Sequence, residues 1–161
     1  MKLRIAAAAL AIGLCTAGVA QADDVPPEFQ NRPTQADCYN AAPTIVGAGV
    51  IVGTVNPDVI LGSPGPDTIF GLGADDVIIG LDGDDVIYGG PGDDLVCAGR
   101  GDDEVQGGPQ RDTVYGEPGD DRMLGDDGTD LLSGDAGWDR GNGQAGVDWC
   151  PPSTEVAVSC P

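Results

Sequence analysis

Apolar and polar positions in this chain repeat with a period of nine residues. Between residues 71 and 104, GLGADDVIIGLDGDDVIYGGPGDDLVCAGRGDDE, each nine opens on glycine and usually carries a second glycine at its fourth place. Asp stands at the sixth place and a branched aliphatic at the eighth. Extended outward, the sixth place is Asp in eleven consecutive frames without insertion or deletion: Asp58, Asp67, Asp76, Asp85, Asp94, Asp103, Asp112, Asp121, Asp130, Asp139 and Asp148. The first place is glycine in ten of them, from Gly53 to Gly143, with Ala98 the exception. The eighth runs Ile60, Ile69, Ile78, Ile87, Val96, Val105, Val114, Met123 and Leu132 before decaying to Gly141 and Cys150. The last three residues of a frame, such as Val86-Ile87-Tyr88, predict a short strand whose middle side chain points opposite to its flankers. One inward residue buries nothing alone. Stacked copies form a continuous inner row, which predicts an all-β solenoid. The glycines favour a tight turn in the first half of each frame, where an Asp can aim its carboxylate at whatever the turn carbonyls also face.

This pattern resembles the glycine-rich nonapeptide of the RTX, or haemolysin-type, calcium-binding repeats. Gly89-Gly90-Pro91-Gly92-Asp93-Asp94 matches the first six places in full, and the likeness covers residues 53–151. It departs at the fourth place in Asn56, Ala74 and Gln110. The resemblance implies a right-handed parallel β-roll with two nonapeptides per coil. It also implies Ca²⁺ between the turns of repeats n and n+2, held by sixth-place Asp and turn carbonyls. The expected ligands are then Asp67, Asp76, Asp85, Asp94, Asp103, Asp112, Asp121 and Asp130, with the turns at Gly83, Gly92, Gly101 and Gly119. Such all-oxygen donor sets suit calcium. Eleven repeats offer nine n/n+2 positions and five and a half coils. At about 4.8 Å per coil that is a rod of roughly 26 Å.

The rest of the chain reads as appendages to one domain. Residues 1–22 have a signal peptide's form: Lys2 and Arg4, an apolar run from Ile5 to Cys15, and the small-residue site Ala20-Gln21-Ala22. Residues 23–43, with Pro26, Pro27 and Pro33, predict an extended leader in which Asp37-Cys38-Tyr39-Asn40 can make one turn. Residues 44–52, TIVGAGVIV, predict a degenerate first coil: Ile51 stands nine before Ile60, and Gly49 takes the place of the Asp. Solenoids need such caps, and residues 152–161, with the strand-like Glu155-Val156-Ala157-Val158, predict the second. Four cysteines remain after cleavage and admit three connectivities. Cys150 with Cys160 and Cys38 with Cys97 is the favoured pairing, the latter strapping the leader to the outside of the fifth repeat.

Charge narrows the function. Among 161 residues there are 7 basic and 27 acidic ones, a formal net charge of −20. Removing residues 1–22 leaves five arginines against all 27 acids, or −22. That disfavours nucleic acid and anionic membranes as partners and opposes compaction unless cations bind. A solvated acidic tail has no reason to hold its Asp in register with Ile and Val. The chain has no histidine, which removes Ser–His and Cys–His nucleophile systems. Paired carboxylates such as Asp84-Asp85 are the repeat copied, not two groups in different environments. The string Gly141 to Gly146 spells GxGxxG but follows no apolar strand and opens no helix. No outward row of Thr and Asn recommends ice binding. The expectation is a secreted, non-enzymatic module that binds several Ca²⁺ ions and folds on them. The alternative is an extracellular adhesive module that meets a protein or surface partner and uses calcium for shape alone.

Overall fold

A computed structural model describes residues 26–151; the expected signal peptide and C-terminal cap lie outside the described residues. Two six-stranded parallel sheets face each other. One contains Ile45–Val46, Val59–Leu61, Val77–Asp82, Leu95–Arg100, Thr113–Tyr115 and Leu131–Ser133. The other contains Val50–Val52, Thr68–Phe70, Val86–Tyr88, Glu104–Gln106, Arg122–Leu124 and Arg140–Asn142. The chain alternates between them, so each strand pairs with the strand two repeats away: Ile60 with Ile78, Ile78 with Val96, Ile69 with Ile87. This is an all-β parallel solenoid of about six coils: ten repeats supply ten strands, residues 44–52 supply two more, and the eleventh repeat adds only a single bridge from Trp149 to Leu131. That first coil is contracted. Ile45 pairs with Ile60, fifteen residues on, whereas Ile51 pairs with Ile69 at the regular spacing.

The eighth places build the core. Ile51, Ile60, Ile69, Ile78, Ile87, Val96, Val105, Val114, Met123 and Leu132 form one buried row between the sheets, joined by Ala98. Strand alternation then turns the seventh and ninth places outward, but the two outer faces differ. On the second sheet Glu104, Arg122 and Arg140 are exposed. On the first, Leu95, Thr113 and Leu131 occupy the same seventh place and are buried, because the leader lies over them.

The leader is not extended throughout. Pro27–Phe29 is a 3₁₀ turn, and a helix, α1, spans Gln35–Asn40. Asp37 starts that helix: its carboxylate accepts the Thr34 N–H at 2.7 Å and the Thr34 hydroxyl at 2.8 Å, satisfying the helix entrance. The segment runs back along the whole array. Phe29 packs on Trp149 with ring centroids 5.7 Å apart. Tyr115 donates to Pro33 O at 3.0 Å, and Tyr39 donates to Glu117 at 2.6 Å. Cys38 is disulfide-bonded to Cys97, inside a small cluster with Ile79 and Leu95. Thr44 N–H finally donates to Val59 O at 2.8 Å. Cys150 is disulfide-bonded too; its expected partner, Cys160, lies outside the described residues.

Candidate metal centres

The turns joining the sheets stack in two rows, one on each flank of the solenoid. One row carries Asp58, Asp76, Asp94, Asp112, Asp130 and Asp148; the other carries Asp67, Asp85, Asp103, Asp121 and Asp139. All but Asp148 are buried. Within each row the Oδ1 of one Asp accepts the backbone N–H of the Asp one coil earlier. The distance is 2.8 Å from Asp58 to Asp76, 2.8 Å from Asp67 to Asp85 and 2.8 Å from Asp76 to Asp94. The ladder continues through Asp103, Asp112, Asp121, Asp130, Asp139 and Asp148 at up to 3.0 Å. At its start Gly49, standing where an Asp would, donates its N–H to Asp67.

The second oxygen is different. The Oδ2 atoms of Asp76, Asp85, Asp94, Asp103, Asp112, Asp121, Asp130, Asp139 and Asp148 are buried and accept no hydrogen bond. An ionised carboxylate oxygen left so in a protein interior is costly. Burial accordingly pushes the carboxyls from Asp76 to Asp139 up from their usual 3.8, against the backbone hydrogen bonds that pull them down and with help from neighbouring carboxylates. The values are about 6 at Asp76, Asp85 and Asp130, about 7 at Asp94 and Asp103, about 8 at Asp121 and about 9 at Asp112. The first-place glycines make room for the same oxygens: a Cβ on Gly89 would stand 2.5 Å from Asp94 Oδ2. Backbone carbonyls of the same turns are open as well. Among the described residues no hydrogen bond reaches the oxygens of Gly83, Gly92, Gly101 or Gly119. Gly83 O and Gly101 O each abut the fourth-place glycine one coil on, at 2.1 and 1.8 Å from where its Cβ would be. No three acidic or cysteine side chains converge among the described residues, so a cation here needs both carboxylates and backbone oxygens. Orphaned carboxylate oxygens and free carbonyls in the same turns fit Ca²⁺, a hard cation that takes six to eight oxygens in flexible geometry. When bound, it would neutralise the carboxylates and cross-link successive coils.

Sequence reasoning missed a division among the turns. Every second-place residue from Leu72 to Gln144, nine in all, has a positive φ between 65° and 125°. The Asp four residues after each is one of the nine with an orphaned Oδ2. Thr54 and Ser63 occupy the second place in the first two frames and lack this conformation. Thr54 N–H and Oγ1 donate to Asp58 Oδ2 at 2.7 and 2.9 Å. Ser63 N–H and Oγ donate to Asp67 Oδ2 at 2.7 and 3.0 Å. A hydroxyl residue at the second place was the visible signal. Fifth-place aspartates have a lighter role: the Oδ1 of Asp75, Asp84, Asp93 and Asp102 each accepts the N–H one coil later, at 3.0 to 3.2 Å, at the surface of the turn. The leader reaches the first row through Arg32, which donates to Asp112 O at 3.3 Å and to Thr129 O.

Among the described residues no helix is long and apolar enough to cross a membrane. No curated protein and no solved structure matches the chain. A family model described as RTX calcium-binding nonapeptide repeat (4 copies) matches residues 52–83, 61–96, 70–105, 98–132 and 115–150. Those matches together span more than half of the sequence and coincide with the two rows of turns. With its repeats so matched and wound into a parallel solenoid, the chain belongs to the RTX calcium-binding nonapeptide-repeat family.

Proposed function

We propose that this is a secreted, non-enzymatic calcium module whose β-roll forms on Ca²⁺ binding. The observation that carries the reading is the set of nine buried, unpartnered Oδ2 atoms in two rows. Without cations these carboxylates must lose their charge or repel one another. With cations between the turns, binding energy becomes folding energy. The ligands are the nine sixth-place Asp from Asp76 to Asp148 and the fourth-place carbonyls of Gly83, Gly92, Gly101 and Gly119, whereas Asp67 keeps its Oδ2 on Ser63. Lack of histidine and the likeness of one carboxylate environment to the next favour a binding role over catalysis. The basic start and small-residue site of residues 1–22 support export, where calcium is abundant and a disulfide such as Cys38–Cys97 persists.

Circular dichroism of the mature chain with its disulfides reduced tests the coupling. The spectrum should be largely that of unfolded chain in chelator and gain β-structure as calcium is added, with a per-site affinity of about 10⁻⁴ to 10⁻³ M. A spectrum indifferent to chelator sinks the reading.

A further inference from the structure

We infer that the first two turns carry their own substitute for calcium, so that the ion array begins at Asp76 and has seven positions in place of nine. This rests on the calcium reading above. A cation between neighbouring turns needs free carboxylate oxygens on both. In the first row, Asp76, Asp94, Asp112, Asp130 and Asp148 give four neighbouring pairs with both Oδ2 atoms unpartnered; in the second, Asp85, Asp103, Asp121 and Asp139 give three. The two remaining pairs, Asp58 with Asp76 and Asp67 with Asp85, each include a carboxylate already held by two donors of a single residue, Thr54 or Ser63. Those frames differ in one more way. Their fifth places are Pro57 and Pro66, which have no N–H to give to a neighbouring coil and fix φ, setting a turn closed on its own Asp. The N-terminal coils therefore keep their shape without metal, as a preformed base on which the calcium-dependent coils stack.

The turn can be rewritten with two substitutions. Ser63→Gly with Pro66→Asp turns residues 62–67 into GGPGDD, the sequence of residues 89–94. Calcium per mature chain, counted by native mass spectrometry and isothermal titration, should rise by one ion in this variant. Asp67→Asn should abolish that gain, yet leave the wild-type count unchanged even where stability falls. A wild-type chain that binds calcium while the rewritten turn adds none overturns the inference, as does loss of an ion from wild type on Asp67→Asn. A wild-type chain that binds no calcium overturns the calcium reading itself.

A separate observation concerns the end of the rod. Val50–Val52 and Ile45–Val46 are the terminal strands of their sheets. Gly49 O and Gly53 N bond to the second coil at 2.7 Å, so by ladder alternation Val50 and Val52 turn their N–H and C=O groups outward. Val46, Val50, Val52 and Val55 are 69, 72, 53 and 79 % exposed. Bare strand edges are ordinarily guarded by charge, yet residues 38–57 contain no charged residue. Both boundaries of the described chain lie at the opposite end, beside Trp149. We propose that a second copy of the chain covers this edge, head to head about a two-fold axis. Residues 38–57 let two molecules of mature net charge −22 meet at this edge without opposing carboxylates.

Sedimentation of the mature chain in calcium should show a concentration-dependent dimer that Val50→Lys and Val52→Lys convert to monomer with unchanged circular dichroism. A spin label at Asn56→Cys reads the same contact without added charge: short inter-label distances are expected there and none at Asn142→Cys. A monomer at every concentration, which would leave the edge to a different protein, overturns the proposal. So does a dimer with its short distances at Asn142→Cys.

Discussion

The two oxygens of each sixth-place Asp do different work. Oδ1 ties one coil to the next through a backbone N–H, and Oδ2 from Asp76 onward waits for charge compensation. The fifth-place Asp beside it ties coils only at the surface. Asp94→Ala should therefore raise the calcium needed for folding several-fold more than Asp93→Ala, although the residues are adjacent. Asp93 contributes an exposed ion pair with Arg111 at 2.5 Å, and such pairs are worth about 0 to 1 kcal/mol. Calcium titrations followed by circular dichroism that coincide for the two variants would count against the site assignment. Core positions give a second contrast. Ile87→Asp places a charge in the dry row between the sheets, at several kcal/mol, and should abolish the calcium-induced fold, whereas Ile87→Val should cost about 0.5 to 1.5 kcal/mol. Val86→Asp should be tolerated. Leu95→Asp, also at a seventh place, should not, because Leu95 is only 5 % exposed beneath the leader. Proteolysis in calcium ranks the four, and equal behaviour of the Val86 and Leu95 aspartates would mean that the leader is not seated.

At the scale of elements, the strands and their inward residues were legible because each short strand is copied every nine residues. The first coil at Ile51 followed from the same register, and two repeats per coil from the resemblance to the RTX repeats. Of the leader, only the turn at Asp37 to Asn40 and the strap at Cys38 were legible. Its turns depend on local capping by Asp37, and its seat depends on Tyr115, Glu117, Thr129 and Trp149, which no local pattern links to residues 29–39. The split between turns was written at Thr54 and Ser63, but its meaning needed the conformation of the residues that replace them. The leader carries its own prediction. Cys38→Ser should destabilise the fold by about 2 to 4 kcal/mol and expose residues 30–37 to protease before any repeat is cut. Simultaneous cutting of leader and repeats would show that the two do not separate as elements.

For the molecule as a whole, the raised carboxyls set a pH dependence opposite to that of an ordinary salt-bridged protein. A folded pKa above 3.8 means that the folded state keeps protons which the unfolded chain has lost. Metal-free stability is then full below about pH 4 and falls as pH rises through the folded values, about 6 to about 9. In chelator the mature chain should show more β-structure at pH 5 than at pH 8. With calcium present, affinity should strengthen over the same window as protons are displaced. Circular dichroism at fixed chelator concentration checks it; a chain that loses structure between pH 8 and pH 5 would contradict the burial of these groups.

Arrays of repeats commonly gain or lose units, because each unit touches only its neighbours. This one is measured by its own leader. Phe29 meets Trp149, Cys38 meets Cys97 and Thr44 meets Val59, so three marks on one short segment correspond to three heights on the rod. A duplicated pair of repeats between any two of them would move the far mark by about 4.8 Å and leave a ring or a sulfur without its seat. The leader is in effect a gauge, and leader length and repeat number can change in descent only together.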